Sequence, residues 1–281
     1  MRRYWREHSR IWHDLDRTHD PEGLTNVCFA GAPLWLNRFA SRCQIRTFLS
    51  LSESLGGLSG RRVLDVGCGV GRWSRLMSGF GAKVTGIDLQ SETLRDNRTS
   101  MQGCRFVEMG AESLAFASKS FDLATSVTVL QHLPDEIQNA AITEIRRVLV
   151  DGGAFLLLEG TKDRGAAVFS HREDWWCAKA RAAGFELERS EHYDFAPLIY
   201  GLKLVALKLR SAGGANGGRP AEAEQYASRM REGLEARGLP RKVYRMLLHA
   251  ATLASYPIEP AMMRLAPAGW AHHVGLLLRA V

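Results

Sequence analysis

Three glycines and two aspartates carry the clearest chemistry in this chain: Asp65-Val66-Gly67-Cys68-Gly69-Val70-Gly71, and then Asp88. Glycine at 67, 69 and 71 opens backbone angles closed to other residues and leaves the main chain bare for a ligand. A helix starting just after the turn would aim its free N–H groups at that ligand. Asp88 ends the next apolar run, where a carboxylate can accept hydrogen bonds from both hydroxyls of a ribose and would repel a 2′-phosphate. Asp65 stands two residues ahead of the turn. It would repel a pyrophosphate, yet it could accept hydrogen bonds from an ammonium group, directly or through water. The ligand implied carries an adenosine-like ribose and a cationic tail.

These residues need a particular scaffold. Arg62 to Val66 reads as a strand buried on both faces. RWSRLMSGFG places Trp73, Leu76, Met77 and Phe80 on one helix face closed by Gly81. Lys83 to Asp88 repeats the strand pattern. Strand, glycine turn, helix, strand and acid make half of a nucleotide-binding α/β fold.

The D-x-G-x-G-x-G stretch resembles motif I of the class I S-adenosylmethionine (SAM)-dependent methyltransferases, and the resemblance extends along residues 60–195 and the last ten. It implies an α/β, Rossmann-like, doubly wound sheet of seven mainly parallel strands with an antiparallel last strand. It also implies SAM as methyl donor and S-adenosylhomocysteine as product, bound by Asp65, Gly67, Gly69, Gly71, Asp88 and Leu89. Ala111, Glu112 and Val127 would complete the donor site. Glu112 follows the third strand, RFVEM (105–109), in the loop that passes the adenine in similar enzymes. Many of those carry Asp one position earlier, so the register there stays open.

FDLATSVTVLQHLP resembles the family's stretch after the fourth strand (120–129), with Gln131 in place of the usual acid. His132 would stand beside the methyl donor and could take a proton from an attacking hydroxyl or amine. It could equally be a structural or positioning group. Asp151-Gly152-Gly153 reads as the turn before a fifth strand, AFLLLE, whose Glu159 would lie at the rim of the pocket. SETLRDNR opens on a Ser91 capping signal, and further helices are expected over 135–149 and 171–184. GFELERSEHYDF (184–195) reads as the sixth strand. His171, Trp175, His192 and Tyr193 fall in stretches that border the substrate in similar enzymes.

The seventh strand does not follow at once; the best candidate is HHVGLLLRAV (272–281). The expected division is an N-terminal helical cap over 1–59, a SAM-binding core over 60–195, a helical insertion or lid over 196–271, and a final strand. The cap holds an aromatic-rich amphipathic helix over 1–20 and a second helix over 33–55. The insertion opens with a basic amphipathic helix, PLIYGLKLVALKLR. A flexible linker over 213–220 and helical stretches over 221–237 and 240–255 follow. YPIEPAMMRLAP then reads as a segment broken by its prolines.

The chain has 281 residues, 46% hydrophobic and 24% charged, as in an ordinary globular protein. Five cysteines without a CxxC pair indicate neither a disulfide framework nor a zinc site, so no metal is expected. No signal-peptide pattern or membrane-spanning run is visible, so a cytoplasmic protein is the default. The net charge of +7 sits entirely in residues 201–281, where twelve Lys and Arg meet five acids. That excess suits a solvated helix face, an anionic substrate, nucleic acid or a membrane surface. A peripheral membrane contact through Leu198, Leu202, Val205 and Leu209, or a homodimer contact, is compatible with the insertion.

The reading is therefore an enzyme that transfers a methyl group to a small-molecule acceptor, on oxygen or nitrogen, such as a sugar, glycan precursor or secondary metabolite. The nucleic-acid amino-methylation signature is absent after strand four. Three rivals stay open. An RNA methyltransferase would use the basic insertion, although no aromatic-basic interleaving is seen. An NAD-dependent oxidoreductase would want Gly at position 72, which is Arg. A SAM-binding protein without methyl transfer would keep the donor site alone.

Overall fold

The computed structural model describes Leu24 and residues 32–162, 168–211 and 241–281. The expected helix over 1–20, the linker over 213–220 and the stretch over 221–237 lie outside the described residues.

Seven strands form one sheet: β1 (Arg62–Val66), β2 (Lys83–Asp88), β3 (Arg105–Glu108), β4 (Phe121–Val127), β5 (Leu149–Gly160), β6 (Phe185–Tyr193) and β7 (His273–Ala280). Their order is β3-β2-β1-β4-β5-β7-β6. Pairs up to β5 are parallel, and β7 runs antiparallel to both β5 and β6. This is the doubly wound sheet the sequence implies, with the chain's last strand inserted between the fifth and sixth. The central strands are apolar because both faces are covered: in β1 only Arg62 is exposed.

The helices are α1 (Leu34–Glu53), α2 (Arg72–Gly79), α3 (Ser91–Ser100), α4 (Asp135–Val148), α5 (Glu173–Ala182), α6 (Pro197–Ser211) and α7 (Arg241–Leu265). One core joins α1, α2, Tyr244 and Leu248 of α7, and Ile199 of α6 to Val63, Leu123, Leu156, Leu158 and Leu277 on one sheet face. A second core joins α4 and α5 to Leu64, Phe155, Leu157 and Leu276 on the other. Alternation along β5 and β7 assigns each residue to its face.

Several expectations change in detail. Phe80 does not join the buried face of α2; that helix stops at Gly79, and Phe80 lies exposed in the turn before Gly81. Ser74, buried against the strand, takes that inward position instead. Ser91 starts α3 but does not cap it, because Gln90 occupies the capping position and makes no side-chain capping bond. Asp151-Gly152-Gly153 does not precede β5 but lies within it, where the register against β4 shifts and Gly152 has φ +73°. The segment holding Pro257 and Pro260 is not broken: α7 runs through both. Each proline removes one donor, and the carbonyl left by Pro257 belongs to exposed Leu253, where water can reach it. On α6, Leu198 and Val205 are exposed, but Leu202 packs against the core, so it does not share an outward face with them.

Candidate functional site

The carboxyl ends of β1, β2 and β4 meet at one edge of the sheet, the edge where open α/β sheets take ligands. The glycine turn crosses that edge. Gly67, Gly69 and Gly71 all have positive φ, at +66°, +47° and +75°. A Cβ at Gly67 would lie 2.4 Å from Val129 Cγ1, and one at Gly71 would lie 2.2 Å from Met101 Cε. The positive φ favours glycine at both positions, and at Gly67 space requires it too, since Val129 is stiff whereas the Met101 thioether end at Gly71 can move aside. The turn is fastened by Cys68 N–H donating to the Ile87 carbonyl (2.9 Å) and by Asn97 Nδ2 donating to the Gly69 carbonyl (2.7 Å).

Asp88 lies at the end of β2, half-buried. One carboxylate oxygen accepts from the Gly69 N–H (2.9 Å) and the other from the Gln90 N–H (3.0 Å). Burial pushes its carboxyl up, and the N–H groups of Gly69, Gln90 and Leu89 oppose that. A carboxylate has about four lone-pair sites, so the group can hold the turn and still accept from a ribose hydroxyl. Leu89 stands half-buried beside it.

Asp65 is buried on the face that carries α2. It accepts from Ser74 Oγ (2.6 Å) and from Thr125 Oγ1 (3.2 Å). Burial is the larger influence and raises its carboxyl to about 6, against the pull of the two hydroxyls. A cationic group at the turn would favour the ionised form.

Val127 is buried at the end of β4. Thr128 follows with φ +54°, a costly conformation for a β-branched residue and one that often marks a functional loop. The single turn Leu130–His132 comes next. His132 is half-buried, its Nε2 3.3 Å from Gln131 Nε2. Ala111 is buried in the loop after β3, and half-buried Glu112 folds its carboxylate back over Gly110.

Glu159 does not sit on an open rim. It is fully buried beneath the turn that carries His132. Its Oε1 accepts from the N–H of Val129 (3.1 Å) and Leu130 (2.9 Å) and from Ser126 Oγ (3.2 Å), while Oε2 accepts from Gln131 N–H (3.3 Å). Gln131, where similar enzymes carry an acid, returns its Oε1 to the Gly160 N–H at 2.6 Å.

The other singled-out residues divide between the faces. His171 stacks on Trp175 (3.7 Å between ring centroids) and bonds Asp135, and His192 bonds Glu173, all on the α5 side. Tyr193 belongs to the opposite core, with Asp65's strand face and α1. It stacks at 5.2 Å on His273, whose Nδ1 lies 3.1 Å from Asp194 Oδ2. Sequence reasoning did not single out Ser74, Thr125, Asn97, Asp194 or His273. Ser74 sat in plain view inside an apolar helix face. The rest are joined only by contacts distant along the chain.

The donor set fits SAM: a glycine turn that a Cβ at Gly67 or Gly71 would crowd, a carboxylate at ribose position and a buried carboxylate, Asp65, held by two hydroxyls. Among the described residues no group of His, Cys, Asp and Glu could hold a metal ion.

Comparison with known proteins agrees. Residues 63–153 match the family profile described as a methyltransferase domain. The ubiquinone biosynthesis O-methyltransferase of Paraburkholderia phymatum is 38% identical over 109 residues, which is 37% of this chain and 46% of that protein. The chain thus spans less than half the length of that relative. Among solved structures, the 1,6-didemethyltoxoflavin-N1-methyltransferase of Burkholderia thailandensis, solved with S-adenosylhomocysteine, is 16% identical, with TM-score 0.50 over 98% of this chain and 90% of that one. The cyclase SpnF is 21% identical, with TM-score 0.52 over 84% and 80%. At such identities the likeness is one of fold, and the fold alone hosts more than one chemistry.

Proposed function

We propose that this chain, whose residues 63–153 match a methyltransferase-domain profile, is a class I SAM-dependent methyltransferase that acts on a hydroxyl of a small molecule. The observation that carries the donor half is Asp88, its carboxylate fixed by Gly69 and Gln90 N–H at the lip of the glycine cradle. The acceptor half rests on the relatives, which are named O-methyltransferases.

In this reading Asp88 accepts from the ribose diol, Gly67, Gly69 and Gly71 leave room for the donor's body, and Asp65 faces its ammonium group. Leu89, Ala111, Glu112 and Val127 line the adenosine and methionine portions. Bound SAM supplies an electrophilic methyl group on a cationic sulfur. The chain's own task is then to hold the acceptor oxygen in line and to receive its proton. His132, on the turn that Glu159 fixes, is the proposed base. We assign residues 60–195 and 272–281 to the donor-binding core, 1–59 to a helical cap and 196–271 to a lid. The acceptor would lie between lid and sheet, beside Tyr193 and Thr47. Both hydroxyls are buried and meet no hydrogen-bond partner among the described residues, which suits groups awaiting a polar ligand.

The test is calorimetric titration with S-adenosylhomocysteine, and with NADH in parallel, for the wild type and Asp88→Ala. Micromolar binding of the homocysteine compound alone, weakened at least about tenfold in the variant (about 1.4 kcal/mol), is the expected result. Binding of NADH alone would overturn the reading. Methyl transfer to a phenol panel, lost in His132→Ala while donor binding persists, tests the acceptor half.

A further inference from the structure

Helix α7 carries polar groups on its buried side and apolar groups on its exposed side, beside the apolar contacts of Ala251, Tyr256 and Met263 with the core. Its inward face, packed on the sheet, α1 and α6, includes three fully buried polar residues, Thr252, Ser255 and Glu259, beside Tyr244 and Leu248. Its outward face carries Met246, Leu253 and Leu265, exposed by 64%, 57% and 84%. Met246 and Leu253 fall within a narrow arc of the helical wheel and form a short apolar stripe, while Leu265, the last residue of the helix, stands about 100° round from it. Trp270, 62% exposed, stands in the turn after the helix. Lys242, Arg245 and Arg264 are exposed around the stripe. The one acid within α7 is Glu259, and it is fully buried and paired with Arg46.

Water is a poor solvent for such a face, and its charge says what covers it. A second copy docked through the same patch would set cations against cations. A surface that offers hydrocarbon below anionic groups satisfies both features at once. Helix α7 lies along the protein and does not span, since among the described residues no helix is long and apolar enough to cross a membrane.

We propose that the outward face of α7 seats on an anionic lipid bilayer, with Met246 and Leu253 in the interface, Leu265 and Trp270 at its edge at headgroup level and the three cations on lipid phosphates. Long apolar side chains and an indole ring are the groups that partition to this depth. Each cation near an anionic surface strengthens binding by roughly fivefold. The seat would hold the lid at the membrane surface, and it stands whether or not the proposed methyl transfer does.

The experiment is co-sedimentation of the full chain with vesicles of phosphatidylglycerol and phosphatidylcholine in equal parts, and of phosphatidylcholine alone, at about 0.1 M salt. Two double variants accompany the wild type: Met246→Ser with Leu253→Ser, and Lys242→Gln with Arg245→Gln. Both touch only the outward face. S-adenosylhomocysteine titration of each variant keeps a folding defect distinguishable from a lost seat. The expected result is sedimentation with the anionic vesicles, weakened at least about tenfold by either double variant and reduced by salt. Donor binding should be unchanged. Wild-type protein left in the supernatant would overturn the proposal, as would equal sedimentation with both vesicles. A concentration-dependent dimer abolished by the serine pair, without vesicle binding, would assign the face to a second copy instead.

Discussion

Glu159 shows how a residue legible as an acid at a strand end can be misread in role. In AFLLLE it looks like a ligand-facing carboxylate. Alternation, however, turns Glu159 toward the face of Leu157 and the Leu130–His132 turn, away from the face of Leu158. Burial pushes its carboxyl up to about 8, with the Leu130, Val129 and Gln131 N–H groups and Ser126 opposing. An acid whose folded pKa exceeds its unfolded value of about 4.3 makes its full contribution to stability below that value. The contribution then declines as pH rises toward 8. Glu159→Gln keeps an acceptor for the turn and removes the titration, so its stability should fall less than the wild type's between pH 5 and pH 8 in urea melts. Glu159→Ala leaves three N–H groups unpaired and should cost at least about 2 kcal/mol at either pH. A Gln variant with the wild-type pH slope would put the titrating group elsewhere. Asp88 and the three glycines were readable in advance because their job is local. Ser74 and Thr125, which hold Asp65 from α2 and β4, are joined to it only by the fold.

At the scale of elements, the strands were visible because burial on both faces makes each a short apolar run between glycines or charges. The helices were visible by period, but their ends were less so. Phe80 kept the spacing of α2 without its burial, and Pro257 looked like a stop because sequence alone does not show that its lost hydrogen bond faces water. The glycine turn offers the sharper test of what an element needs. At Gly71 a methyl group meets Met101 and comes within 3.2 Å of Asn97 Oδ1, on the side chain that holds the Gly69 carbonyl. Gly71→Ala should therefore cost about 1–3 kcal/mol in stability and weaken S-adenosylhomocysteine more than about tenfold. Gly57→Ala is the control: its φ is also positive, at +101°, but nothing lies within 4 Å of the added carbon. It should cost stability through strain and leave donor affinity as it was. Equal loss of affinity in both variants would show that the turn responds to general destabilisation and not to its own shape.

Across the whole molecule, one residue joins the sheet to the helices that cover it. Asp194 follows β6 with φ +63° and is buried. Its carboxylate accepts from Tyr200 of α6 (2.6 Å) and meets His273 of β7 (3.1 Å), and its N–H donates to Glu259 of α7 (3.2 Å). Glu259 in turn pairs with Arg46 of α1. Nothing in the local sequence marks this junction, because its members come from four separate elements and the loop after β6. Burial pushes the Asp194 carboxyl up, but the hydrogen bond and charge of His273, with Tyr200, outweigh it and hold the group well below the usual carboxylate range. A depressed acid contributes stability that is present above its unfolded value of about 3.9 and is lost as pH falls toward the folded one. Acid should therefore loosen the lid at this point, where the depressed carboxylate is buried, whereas the Arg62–Asp122 tie between the parallel strands β1 and β4 is largely exposed to water. Asp194→Asn tests that directly, since asparagine tolerates the same backbone angle and lacks the charge. The variant should be less stable by about 1–3 kcal/mol at neutral pH, with the gap to wild type closing in melts taken down from pH 5 to pH 3. A gap that stays constant across that range would mean the junction holds by shape alone, without its charge.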